Sequence, residues 1–319
     1  MKLSKKTSII SGLQRASGLF LLILVATIFT LLSDRFFTVS NLTNIALQTS
    51  MVAIVTIGMT LTMLMAGIDL SVGSVAALSG ALVAGFMSRN NIPMPLAIAL
   101  GIAIGSSLGA INGILTVYGK LPPFVATLAM LGVARGFTLV YTEGRPISGL
   151  DKTFTYLGSG YLGPIPMPVV IWIVILLIFF FILRYTKFGL YIYAIGGNEE
   201  TARLAGIPTN RIKVIVYALS GALASITGIL LTARLWSAQP QMAAGLELDA
   251  IAASVLGGVS LFGGVGSVIG ASIGALIVGM LGNGLNLLRI PSYYQQVIKG
   301  VVFILAVIFD MYAKKQAKK

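Results

Sequence analysis

Along the chain, apolar positions gather into runs rather than alternating with polar ones. Between charged or Gly/Pro-rich breaks they form ten windows, at about 17–33, 44–66, 70–88, 94–116, 122–141, 167–185, 212–235, 249–262, 265–288 and 293–311. Most reach the roughly 17–25 residues that a helix needs to cross about 30 Å of hydrocarbon. Of the 319 residues, 57% are hydrophobic and 10% charged, more apolar surface than a water-soluble core can hide. The expected fold is all-α: a polytopic transmembrane helical bundle of about ten spans, with residues 1–319 as one domain and lipid as its main solvent. The run from Leu19 to Leu32 has no A-x-A-like site behind it, so it reads as an uncleaved first span.

Charge then orients the bundle. With the N-terminus inside, 14 of the 22 Lys and Arg fall in cytoplasmic segments, six outside and two, Arg135 and Lys299, within spans. Both termini are basic, which predicts an even number of spans and two cytoplasmic ends. The net charge of +13 is therefore a topology signal; no concentrated, aromatic-interleaved patch suggests nucleic acid.

The chain has no Cys and no His. Disulfides, thiolate nucleophiles, the usual transition-metal ligands and the commonest general base are all missing, so enzymatic readings weaken. Gly105-Ser106-Ser107-Leu108-Gly109 fits G-x-S-x-G, but it lies inside an apolar helix with no histidine to activate the serine. Gly101, Gly105, Gly109 and Gly113 instead make a stripe without side chains, along which another helix can approach closely. Gly266, Gly270 and Gly274 repeat the device, and Gly221, Ser225 and Gly228 approximate it.

Two breaks interrupt the apolar pattern, Ala66–Ser74 and Gly257–Val268, and each leads into a Gly-Ser-Val helix start. Paired interrupted segments in two halves of a chain point to the working region of a transporter. Asp69 with Ser71 reads either as a helix N-cap or as a carboxylate that lines a pathway or pairs with Arg135. Polar positions on apolar spans, among them Asn44, Gln48, Asn112, Asn283 and Asn286, are further candidates for a path, with helix capping as the plain alternative. Glu247 and Asp249, on the outer side, are either solvated loop charge or a docking point for a delivering protein.

The loop over 186–211 carries the clearest soluble element. After Gly196 and Gly197, Asn198 suits an N-cap, Glu199 and Glu200 the first turn, Arg203 the far end, Gly206 the left-handed position and Pro208 the stop. This predicts a helix of about seven residues, too short to stand alone in water. It packs on its own bundle or docks a cytoplasmic partner.

Taken together, NLTNIALQTS, GMTLTMLMAGIDLSVGS, FVATLAM, YTEGRPI, GLYIYAIGGNEETARLAGI, SAQPQMAAGLELDAIAASVLGGVSLFGG, NGLNLL and SYYQQVIKG resemble the monosaccharide and autoinducer permease family of bacterial ATP-binding-cassette importers, in its ribose branch. The resemblance covers almost the whole chain. It implies an inner-membrane permease working as a pair of copies, served by a cytoplasmic ATPase on a separate chain and a soluble extracytoplasmic sugar-binding protein. It also implies that Asn198, Glu199, Glu200, Arg203, Leu204 and Gly206 form the helix coupled to the ATPase, although Glu199-Glu200-Thr201 departs from the family's Glu-Ala-Ala. No G-x-x-x-x-G-K-[ST] occurs, so ATP is expected to be used elsewhere and this chain to carry no cofactor. An ion-coupled secondary transporter, or an importer of an autoinducer, xylose, galactose or a branched-chain amino acid, is the rival reading.

Overall fold

A computed structural model describes residues 18–317. Every one of the ten apolar windows is a helix. They are α1 Gly18–Leu32, α2 Val39–Leu64, α3 Val72–Ser88, α4 Met94–Val117, α5 Pro123–Thr142, α7 Met167–Tyr185, α10 Thr209–Leu235, α11 Leu246–Leu256, α12 Val268–Leu287 and α13 Ser292–Ala317. Six of them, α2, α4, α5, α7, α10 and α12, are long and apolar enough to cross a membrane, and the chain is a multi-pass membrane protein. Lys2, Lys5, Lys6, Arg15, Lys318 and Lys319, used above to orient the termini, lie outside the described residues.

The helix boundaries follow from local chemistry. α4, α5 and α7 open on Pro93-Met94-Pro95, Pro122-Pro123 and Pro166-Met167-Pro168, where the missing N–H of proline costs nothing because the first-turn donors have no helical acceptor. Ser267 caps α12 by accepting from the Gly270 amide at 3.0 Å. Its counterpart does otherwise: Ser74 is buried inside α3, so the two Gly-Ser-Val starts are not structurally alike.

Burial sorts the helices into an inner and an outer set. The apolar stretch of α2 is 78% buried and those of α10 and α12 61% each, whereas α4, α5 and α7 bury only 22–33%. The outer helices therefore present one face to the bundle and leave the others to lipid. On α4 that face is Ala97, Gly101, Gly105, Gly109, Asn112 and Gly113. The glycine stripe packs on α10, where a Cβ at Gly109 would overlap the Tyr217 carbonyl and one at Gly113 would lie 2.7 Å from Val214 Cα. On α12, Gly270 and Gly274 likewise meet Gly257 and Ala253 of the α11 end. Gly266 falls outside that stripe: it precedes α12 with φ +142°.

Two pieces that hydrophobic windows do not reveal lie between α5 and α7. One is the amphipathic helix α6 Lys152–Ser159, capped by Asp151 on the Thr153 amide at 2.8 Å. The other is a two-stranded hairpin, β1 Tyr161–Leu162 with β2 Ile165–Pro166. Between α7 and α10 the chain forms α8 Lys187–Gly197 and α9 Glu199–Leu204.

Candidate functional site

Asp69 sits in the turn joining α2 to α3, fully buried. One carboxylate oxygen accepts from the Ser71 amide at 3.1 Å and the Ser71 hydroxyl at 2.6 Å. The other accepts from the Ser220 hydroxyl of α10 at 2.8 Å. Asn112 of α4 donates to Ser71 Oγ at 3.0 Å. Ser71 does occupy the N-cap position of α3, but its side chain is committed to Asp69 rather than to a helical amide. A buried carboxylate is tolerated only when donors replace its water, and here three do so from two segments of the fold.

The alternative pairing of Asp69 with Arg135 is not formed, and helix register gives the reason. Thr127 Oγ1 reaches the Ile68 carbonyl at 3.1 Å, which places Asp69 beside the start of α5. Arg135 lies eight residues further along α5, roughly 12 Å at 1.5 Å per residue. Its guanidinium instead donates to the Pro240 and Met242 carbonyls at 2.8 and 3.1 Å, with Glu247 as the nearby opposing charge. Two carbonyl dipoles and a nearby carboxylate thus offset the cost of a half-buried arginine.

Glu247 and Asp249 occupy the first turn of α11, where the helix dipole favours acidic groups. Glu247 also lies against Gly73 of α3, where a Cβ would collide with its carboxylate. Asp249 is paired with Lys299 of α13 at 2.9 Å, so the second basic residue assigned to a span has an acidic partner. Of the remaining candidates for a path, Asn44 is exposed and Gln48 half-buried on α2, while Asn283 and Asn286 join helices. Asn283 of α12 and Asn41 of α2 exchange amide hydrogen bonds at 2.9 Å in both directions, and Asn286 accepts from Gln295 at 2.8 Å.

The loop helix forms where expected. Asn198 accepts from the Thr201 amide at 2.8 Å, and Gly206 takes φ +82° while its amide and that of Ile207 donate to the Arg203 and Ala202 carbonyls. α9 has six residues and buries one, Ala202. Arg203 pairs with Glu200 at 2.8 Å, an exposed bridge worth little in itself. Glu199 pairs with Lys213, at the foot of α10, at 2.5 Å. Leu204 is 80% exposed, an apolar side chain with nothing to cover it.

The two chain breaks meet under this loop. The Gly264 amide donates to the Leu64 carbonyl at 2.9 Å, and Gly196, at the end of α8, fits between them so closely that a Cβ would overlap the Leu64 carbonyl. The end of α2 and the second break thus touch one structure, the segment that carries α9, and the first break meets them at Gly263, where a Cβ would lie 2.9 Å from the Ala66 amide nitrogen. In the sequence Gly196 stands only as a residue ahead of the Asn198 cap, with no sign of this contact. Sequence reasoning missed Ser220, which looked like another small residue near Gly221 and Ser225, and Lys213, which was counted only as an inside positive charge. Tyr217, one α10 turn from each, carried no signal beyond being a polar group in an apolar span.

A family model for the permease component of branched-chain amino acid transport systems matches residues 41–307. The chain belongs to that family. It is 48% identical over 302 residues to the ribose import permease protein RbsC of Escherichia coli K12, covering 93% of this chain and 94% of the relative. It is also 48% identical to the ribose import permease protein of Bacillus subtilis, over 92% and 90% of the two chains. The D-allose transport system permease protein of Escherichia coli is 38% identical over 93% and 91%. No solved structure matches. The chain is accordingly a permease component of a transport system and not an enzyme.

Proposed function

We propose that this chain is the permease subunit of an ATP-driven importer of ribose. In this reading it crosses the bacterial inner membrane ten times, with both termini in the cytoplasm, and works as a pair of identical copies. A separate ATPase supplies the energy, a soluble binding protein delivers the sugar outside, and the chain itself needs no cofactor. The relatives named for ribose support the substrate.

The observation that carries the mechanism is α9. A six-residue helix is too short to persist by itself, yet it is capped at both ends, tied to α10 through Glu199–Lys213, and left with Leu204 uncovered. It is built to receive something on its exposed side. With Asn198, Glu199, Glu200, Arg203, Leu204 and Gly206 docked on the ATPase, movement of the loop reaches α10 through Lys213, and the end of α2 and the second chain break through Gly196. Asp69, Ser71 and Asn112 then join the moving parts at the inner end of the pathway, while Asn283 and Asn286 stand at the outer end of α12. Glu247 and Asp249, with Arg135 behind them, serve the outer end, where the binding protein docks.

Reconstitution with the ATPase and binding protein tests the proposal. Labelled ribose uptake should require ATP hydrolysis and survive an uncoupler, with D-allose, xylose and L-arabinose competing poorly. Changing Glu200 and Arg203 together to alanine should leave the protein inserted but hydrolysis unlinked from uptake. Uptake that collapses with the uncoupler, or that is untouched in the double variant, would refute it.

A further inference from the structure

Beneath α9 lies a cavity of about 230 Å³, lined by the end of α2 (Thr62, Met65), the turn at Ala66 and Gly67, Thr116 of α4, Pro123 of α5 and Tyr217 of α10. Glu199 and Lys213 stand in its wall, so the ion pair that ties α9 to α10 also borders this space. Two of its polar atoms, the Tyr217 hydroxyl and Thr116 Oγ1, are buried with no hydrogen-bond partner. Asn112 Oδ1, one turn before Thr116 on the same face of α4, is a third such atom, and its amide nitrogen belongs to the Asp69 cluster.

Native proteins rarely leave buried polar atoms unpaired, because each costs about 1–3 kcal/mol. Unpaired atoms converging on a space that could hold on the order of seven waters mark a place where something else supplies the hydrogen bonds. The chemistry of the wall narrows the choice. Tyr217 and Thr116 offer hydroxyls that both donate and accept, Thr62 adds a hydroxyl with free lone pairs, and Met65 and Pro123 offer an apolar face. Glu199 and Lys213 carry opposite charges that cancel, so the wall selects neither an anion nor a cation. Its volume falls below the roughly 300–1,000 Å³ of sites for drug-sized ligands, as suits a smaller molecule.

We infer that this cavity is a binding site for a small neutral polyol, entered from the side of α9 and bordered by the Glu199–Lys213 pair. The inference rests on the permease reading and deepens it: the ligand is the transported monosaccharide, held at the inner end of its route before release. Tyr217 and Thr116 are its hydrogen-bonding residues. The ion pair makes occupancy of the site sensitive to the position of the loop helix.

The test is ribose binding to the purified permease–ATPase complex, without nucleotide and without the binding protein, read both as retained labelled ribose and as a rise in the thermal midpoint. Tyr217→Phe keeps the ring and removes an unpartnered hydroxyl, and Thr116→Val keeps the shape and removes the other. A purely structural role predicts unchanged or higher stability in both variants and unchanged ribose binding. The inference predicts the same stability but at least a tenfold weaker affinity in each, and a larger loss when both are changed. Wild type that retains no ribose, a cavity that holds water alone, or variants that bind as tightly as wild type would overturn it. ATP-driven ribose uptake by the same wild-type complex in liposomes separates the two ideas. Uptake without a Tyr217 or Thr116 effect sinks this site and leaves the permease reading intact, whereas absent ribose uptake sinks the permease reading itself.

Discussion

Four glycines on two neighbouring helices offer a controlled measurement of how tightly the outer helices are held. At Gly132 and Gly136 of α5 a Cβ would meet nothing within 4 Å. Alanine there should only add helix propensity, stabilising the permease by up to about 1 kcal/mol per site. At Gly113 of α4 the Cβ falls 2.7 Å from Val214 Cα, where ordinary contact begins at 3.4 Å, so the helices must separate by about 0.7 Å. A gap of that size forfeits roughly a quarter to a half of the dispersion energy along the contact, and overpacking of this kind costs about 1–3 kcal/mol. After the propensity gain, Gly113→Ala should destabilise by up to about 2 kcal/mol. Gly109→Ala meets the Tyr217 carbonyl, which cannot rotate away, and should cost at least about 3 kcal/mol. The assay is equilibrium unfolding of the permease purified alone in one detergent, all four variants in parallel. The reasoning fails if Gly109→Ala is as stable as wild type, or if Gly132→Ala is worse than Gly113→Ala.

The Asp69 cluster should behave as a unit. Ser220→Ala removes one of three donors to a buried carboxylate and should cost about 1.5–3 kcal/mol, and its effect should vanish in an Asp69→Ala background; additive losses in the double variant would refute the link. Asn198→Ala deletes the cap of α9 at about 1 kcal/mol, felt locally because α9 buries only Ala202. The bundle's unfolding midpoint should hold while ATP consumed per sugar rises; an unchanged ratio would show that α9 needs no fixed shape to do its work.

The helices were legible because each is announced within its own segment. Apolar runs, prolines in the first turn and the Asn198 and Gly206 caps act over a few residues, so α4 and α7 begin within a residue of their windows. α6 escaped because eight residues with an amphipathic pattern leave no trace in a hydropathy window. The partners of Asp69 escaped for a different reason. Charge alone offered Arg135, but only the contact of Thr127 with Ile68 shows that the two groups stand about two turns apart. Ser220 and Asn112 lie 151 and 43 positions from Asp69, and nothing local marks Ser220 as a donor to that carboxylate or Asn112 as the donor to Ser71 beside it.

The same distinction bears on how a loop could move a bundle. Each break, seen alone, is a stretch of glycine between apolar helices, and glycine there could simply permit a turn. In the fold, Gly196 has no room for a side chain because the Leu64 carbonyl at the end of α2 and the Gly264 amide of the second break close over it. α9 begins only three residues later, after the Asn198 cap, and its Glu199 pairs with Lys213 at the foot of α10. In the proposed mechanism a push on α9 would arrive at α2, at the segment before α12 and at α10 together. Separate loops could shift these helices independently; a glycine wedged between the end of α2 and the second break would, in the proposed mechanism, make them share one displacement.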